Sequence, residues 1–252
     1  MIICDTNIWY DLEEKPDSVK NKGNLTVTPL VIKEIANSPK LINKFETVRK
    51  ACDNIFKYGN EIIIKTPLEY LLYLDNQEYT EETPYLNLSN EFEVMCRLKN
   101  GAQISKGKED ALKEHIENIR SQLSTGTSNV QETLLNVRKN IIDRKKPSKE
   151  NTIELTKEVV MKVFIETPTN GKYKLSDNFD WSKIELFVFT LDAYFKRLEA
   201  NSTMKIKNND WIDLFNLLYV TPDDKYLTDD KSIKESIKVA NMEKYLESNA
   251  ST

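Results

Sequence analysis

The strand-like runs of this chain are short and far apart, and helical spacing separates them. Residues 1–4 (Met-Ile-Ile-Cys) and 24–28 (Asn-Leu-Thr-Val-Thr) read as strands. Residues 61–66 hold Ile62-Ile63-Ile64, a β-branched run closed by Pro67, and residues 225–228 hold Tyr226-Leu227. Between the second and third runs, Thr28-Pro29 reads as a helix start, with Thr28 as N-cap and the proline in the first turn. Leu41, Phe45, Val48, Cys52 and Ile55 recur at steps of four and three, which predicts one amphipathic helix stopped by Gly59. Strands that alternate with helices are joined by crossovers, and crossovers build parallel sheets. The expected fold class is α/β with a central, mainly parallel sheet.

The middle of the chain has a different character. Residues 91–201 carry helical periodicity and almost no strand signal. Ala111, Leu112, His115, Ile116, Ile119 and Leu123 share a face, as do Val130, Leu134, Val137 and Ile141, then Val159, Val160, Val163 and Phe164. Ser182 with Glu185 reads as a capping box before a long apolar helix, and Ser232 with Glu235 as another before the last helix. A helix over 210–219 precedes the final strand. The expected organisation is a discontinuous α/β domain from residues 1–66 and 208–252, with an all-helical insertion at 67–207.

Composition removes several function classes. The chain has 252 residues, a net charge of −4 and a mean hydropathy of −0.55. It therefore lacks the global basic field of many nucleic-acid binders, although a site rich in acids would itself account for part of that balance. His115 is the only histidine, which sets aside His-based zinc sites and Ser-His-Asp triads. Cys4, Cys52 and Cys96 are too few and too widely spaced for a disulfide framework. Only four apolar residues precede Asp5, too few for the core of a signal peptide, and no stretch reads as a membrane span. A cytoplasmic protein is expected.

The chemistry lies in where the acids fall. Asp5 ends the first strand, and the carboxyl ends of parallel strands are where open α/β sheets bind ligands. Glu34 lies one turn into the helix opened by Thr28. Asp210, Asp213 and Asn216 fall at steps of three on a helix otherwise apolar on most sides (Trp211, Ile212, Leu214, Phe215, Leu217, Leu218). A buried carboxylate needs a cation, a basic partner or water, so an acidic stripe on a buried helix asks for one of them. Asp229-Asp230 follow the last strand, with Thr228 placed to steady them. Each acid also has an ordinary reading. Asp5, Asp210 and one of Asp229/Asp230 read equally as helix caps, and Glu34 as a surface acid near a helix N-terminus.

Taken in order, Asp5-Thr6-Asn7, Thr28-Pro29-x-Val31-x-x-Glu34-Ile35, Asn209-Asp210-x-x-Asp213-Leu214 and Leu227-Thr228-Asp229-Asp230 resemble the motifs of the PIN-domain nucleases. The likeness covers about the first 66 and last 45 residues; the central segment has no counterpart in it. It implies a PIN-like three-layer sandwich in which Asp5 and Glu34 are the first two metal-binding acids. The third is Asp213 or Asp210, and the fourth is Asp230 with Asp229 beside it. Asn7 and Thr6 would orient Asp5. The implied activity is hydrolysis of a phosphodiester with Mg²⁺ or Mn²⁺, which suits an all-oxygen donor set. RNA is the implied substrate, and a toxin or defence endoribonuclease, with an antitoxin or other protein partner, is the implied setting. The competing class is a catalytically silent PIN-like scaffold whose helical insertion binds a partner. A haloacid-dehalogenase-type phosphatase would want an acid two residues after Asp5, where Asn7 stands.

The most basic stretch runs from Arg138 to Lys149, and Arg138, Arg144, Lys145 and Lys146 are its candidate phosphate contacts; the alternative is a solvated helix end. Changing Arg144, Lys145 and Lys146 to Ala together should weaken RNA binding. It should also flatten the dependence of log K on log salt by ~0.7 per lost contact. Fluorescence anisotropy against a single-stranded RNA at several salt concentrations checks this; an unchanged slope assigns the run to a solvated surface.

Overall fold

The structure, a computed structural model, describes residues 1–15, 17–79, 88–103, 107–145, 152–201 and 208–247, apart from the side chains of residues 18, 89, 120, 122–131, 137, 141–145 and 208. Among the described residues four strands form one sheet: β1 (Ile2–Cys4), β2 (Leu25–Val27), β3 (Gly59–Ile62) and β4 (Lys225–Leu227). Their order is β3-β2-β1-β4 and every pairing is parallel. The protein is therefore α/β with an all-parallel sheet. The chain leaves β1 toward β2 on one side and returns as β4 on the other. That reversal of strand order makes a crevice at the carboxyl ends of β1 and β4.

The helices in chain order are α1 (Thr6–Asp11), α2 (Asp17–Lys20), α3 (Pro29–Ala36), α4 (Lys40–Asn43), α5 (Phe45–Tyr58), α6 (Pro67–Leu74), α7 (Leu88–Lys99), α8 (Glu109–Lys145), α9 (Ile153–Val159), α10 (Glu185–Ala200), α11 (Asn208–Asn216) and α12 (Lys231–Val239). Thr28 caps α3 with Pro29 in its first turn, as its sequence predicts. Other boundaries differ from expectation for local reasons. The single helix expected over 41–55 breaks at Lys44, whose backbone (φ −139°, ψ 45°) is not helical, into α4 and α5. The third strand starts at Gly59 and ends at Ile62, so Ile64 is 71% exposed instead of buried in a strand. Asp180 and Asp230, not Ser182 and Ser232, accept the capping hydrogen bonds of their helices. The helix expected over 210–219 is α11 followed by a 3₁₀ turn at Leu217–Tyr219, and the helical face from Val159 to Phe164 passes into a π-helical stretch, Val160–Glu166.

Side-chain alternation along the strands divides the interior into two cores. Ile3 and Tyr226 join one, with residues of α6, α9, α10, α11 and α12. Cys4, Leu25, Val27 and Leu227 join the other, with residues of α1, α3, α5 and α7. The helices of the central segment belong to both. Met95 and Leu98 of α7 pack among α3 and α5. Phe187, Leu191 and Phe195 of α10 pack among α11 and α12. The 37-residue α8 places Ile116 in one core and Leu134 in the other. The described helices between residues 67 and 201 thus contribute to both helical layers. Among the described residues no helix is long and apolar enough to cross a membrane. Cys4, Cys52 and Cys96 are free thiols, the first two buried.

The structure overturns one expected phosphate contact. Arg138 is 1% exposed, and its guanidinium lies over the Phe195 ring at 4.8 Å from the centroid. It pairs with Glu199 and with Asp192 (3.3 Å), and donates to the Thr156 hydroxyl at 2.9 Å. Thr152, Thr156 and Lys196 also reach Asp192. Arg138 is spent on fastening α8 to α9 and α10 and has no face for a nucleic acid. Lys146 and the side chains of Arg144 and Lys145 lie outside the described residues. Removing one member of a buried ion pair strands the other charge, so Arg138→Ala should lose ~3–5 kcal/mol of stability in urea denaturation. A loss within about 0.5 kcal/mol, the ordinary surface range, would show that the network holds nothing together.

Candidate metal centre

Asp5 is 1% exposed at the junction of β1 and α1, and its oxygens are divided between two elements. Oδ1 accepts the Thr6 backbone N–H at 2.7 Å and caps α1. Oδ2 accepts the Thr228 hydroxyl at 2.8 Å from the end of β4. The parallel register of β1 and β4, with Cys4 opposite Leu227, brings Thr228 level with Asp5. Thr6 also donates its own hydroxyl to Glu34 Oε2 at 2.5 Å, joining the first two acids. The Thr28 hydroxyl donates to Asn216 Oδ1 at 2.6 Å, which ties the start of α3 to α11. The helices bearing Glu34 and Asp213 are locked to each other by a buried polar contact.

The result is a cleft of about 300 Å³ at the carboxyl edge of the sheet. Asp5, Glu34, Asp210, Asp213 and Asp230 all line it, as does Thr6. Asn7, Asn209 and Ser232 form the remainder of the lining among the described residues, none of which brings a basic side chain to it. Asp210 Oδ2 accepts the Tyr194 hydroxyl at 2.9 Å, so α10, from the central segment, reaches an acid of the cleft. Asp230 uses Oδ1 to cap α12 through the N–H groups of Ser232 and Ile233.

Two expected roles fall elsewhere. Asp229 is not in the cleft lining; Lys15 pairs with its carboxylate and Lys234 lies 3.7 Å from it. Successive residues leaving a strand point apart, so one acid of the pair meets the cleft and the other the lysines. Asn7 is exposed on the cleft wall, and the donors that hold Asp5 are Thr6 and Thr228. Sequence reasoning missed Tyr194 altogether, because nothing local marks a tyrosine sixteen residues before Asp210 as its partner.

The acids strain one another. Burial, followed by the charges of Asp5, Glu34, Asp230 and Asp210, pushes the Asp213 carboxyl up to about 9. Burial also raises Glu34 above the ordinary range, against the Thr6 hydrogen bond and with Asp5 adding to the rise. Asp5 is raised by burial too, although its hydrogen bonds from Thr228 and Thr6 work the other way. Among the described residues no group of three or more His, Cys, Asp or Glu side chains stands as a formed metal shell. The carboxylates share the cleft while several of their oxygens turn to nearby donors. The donor set nevertheless fits a hard divalent cation: it is all oxygen, it comes from separate elements, and among the described residues no lysine or arginine lines the cleft, although Lys40 acts on Glu34 from outside it. No family model, curated protein or solved structure matches this chain.

The raised Asp213 carboxyl has a consequence for the metal-free protein. Between the unperturbed value of 3.8 and about 9, the folded state holds a proton that the unfolded state has released. Stability then falls as pH rises through that window. Asp213→Asn carries no such proton, so its melting temperature in EDTA should rise relative to the parent between pH 5 and pH 8.5. A parent–variant difference that stays constant with pH would show that Asp213 is not pressed by its neighbours.

Proposed function

We propose that the protein is a metal-dependent nuclease of the PIN-like type, hydrolysing phosphodiester bonds and acting on RNA. One observation carries the reading. Acids from four separate segments of the chain, all named from the ordered motifs, meet in one cleft at the reversal of strand order. Their crowding is unfavourable unless a cation offsets it. The all-parallel sheet with helices on both faces supports the three-layer PIN-like architecture within the same proposal.

Asp5, Glu34, Asp213 and Asp230 would hold Mg²⁺ or Mn²⁺, with Asp210 on the rim; when bound, such ions activate water and stabilise the leaving oxygen of a phosphodiester. The chain's own work is positioning. Thr228 and Thr6 keep Asp5 aimed, and Thr6 keeps Glu34 beside it. Tyr194 restrains Asp210 at the rim. Asn7, Asn209 and Ser232 offer uncharged donors along the walls, suited to phosphate and sugar oxygens. The preference for RNA and the setting as a toxin or defence nuclease in the cytoplasm, with an antitoxin or other protein partner, rest on the sequence resemblance. A catalytically silent scaffold is the second reading, favoured by the absence of a formed metal shell among the described residues.

Incubation of the full chain with single- and double-stranded RNA and DNA, in Mn²⁺, Mg²⁺ or EDTA, tests the proposal. Cleavage should require the divalent ion. Asp5→Asn should fall to the EDTA background while keeping the parent's circular dichroism, because its carbonyl oxygen still accepts the Thr6 N–H and its amide N–H can donate to the Thr228 hydroxyl in place of the present bond. Metal-dependent cleavage by purified Asp5→Asn at the parent's rate would sink the assignment. Failure of the parent to bind Mn²⁺ would favour the scaffold.

A further inference from the structure

Tyr226 is fully buried in the middle of β4, and its hydroxyl meets no hydrogen-bond partner among the described residues. An unpaired buried hydroxyl is costly, and phenylalanine would fill the same space without it. Tyr226 lies two residues before Thr228 on the same face of the strand, opposite Ile3, which lies two residues before Asp5. It belongs to the same buried core as Trp211 and Leu214, which flank Asp213 on α11. The charges that act on it are, in order, those of Asp5, Asp213, Glu34 and Asp230, all of which line the cleft. Asp5, Glu34, Asp210 and Asp230 each accept a hydrogen bond. Asp213, by contrast, accepts no hydrogen bond among the described residues, while burial and the neighbouring acids act against its charge.

We propose that Tyr226 is a positioning residue of the cleft, its phenol being the hydrogen-bond donor that orients the Asp213 carboxylate when a divalent cation is held there. The inference rests on the metal-dependent reading and adds to it a residue outside the four acid motifs. A ligand carboxylate is normally fixed by a donor behind it, and loss of that donor weakens metal binding by about 10–100-fold. The hydroxyl would thus be kept at the expense of the metal-free fold.

The test uses the full chain stripped of metal, with free Mn²⁺ followed by electron paramagnetic resonance during titration and melting recorded in EDTA. Tyr226→Phe should melt at or above the parent's temperature in EDTA, yet bind Mn²⁺ at least about tenfold more weakly. Tyr219→Phe is the control: that buried hydroxyl donates to the Lys65 carbonyl at 2.9 Å, so its loss should lower the melting temperature and leave Mn²⁺ binding unchanged. Parent-like Mn²⁺ affinity in Tyr226→Phe overturns the inference and leaves the metal-dependent reading standing. So does a lower melting temperature in EDTA, which would mean the hydroxyl already has a structural partner. A parent that binds no Mn²⁺ overturns both.

Discussion

A carboxylate taken out of water has to be met by donors or by a cation, and Asp5 is where that requirement binds the molecule together. One of its oxygens closes the turn from β1 into α1; the other fastens the end of β4 to the end of β1 through Thr228. Thr6, whose N–H serves Asp5, uses its hydroxyl to bring in Glu34 from α3. Three elements are thereby registered on a single buried charge. Burial first, and then the charges of Asp5, Glu34, Asp230 and Asp210, push the Asp213 carboxyl up to about 9. Order in the cleft and strain in the cleft have the same source: negative charge packed where hydrogen bonds alone cannot balance it.

The central segment takes part in this arrangement. Helices of the central segment help to cover both faces of the sheet. α7 fills the layer of α3 and α5, α10 fills the layer of α11 and α12, and α8 runs between the two cores. The buried Arg138–Asp192 network fastens α8 to α9 and α10. α10 in turn sends Tyr194 to Asp210, so the segment that has no counterpart in the resembling family supports one wall of the cleft. Geometry at the cleft is therefore coupled to packing well outside the motifs.

Much of this was legible in the residues, for identifiable reasons. Strand, helix and parallel pairing follow from periodicity and crossover length, which are local properties of the chain. Thr28 as N-cap with Pro29 behind it is a backbone preference that tertiary contacts rarely overrule. The meeting of Asp5, Glu34, Asp210, Asp213 and Asp230 was legible because strand ends and a buried polar stripe have only one crevice to reach. Boundaries were less so. Ile62-Ile63-Ile64 has strand propensity, but pairing with β2 ends at Ile62 and leaves Ile64 to solvent. Ser232 and Asp230 both suit a cap, and the choice fell to the residue whose side chain faces the first N–H groups of α12.

Sequence by itself determined the elements, their order, the α/β class and which acids could share a site, because spacing and chemical type are written residue by residue. Tertiary structure alone decided how each charge is spent. It gave Asp229 to Lys15 and Lys234 and Asp230 to the cleft, although the two are adjacent in the chain. It buried Arg138 against Asp192, Glu199 and Phe195, although the residue opens the most basic stretch. It left the Tyr226 hydroxyl, on which the cleft acids act, without a partner among the described residues. Partners in these cases lie far apart along the chain, and desolvation, which sets what each interaction is worth, exists only once the layers have closed over them.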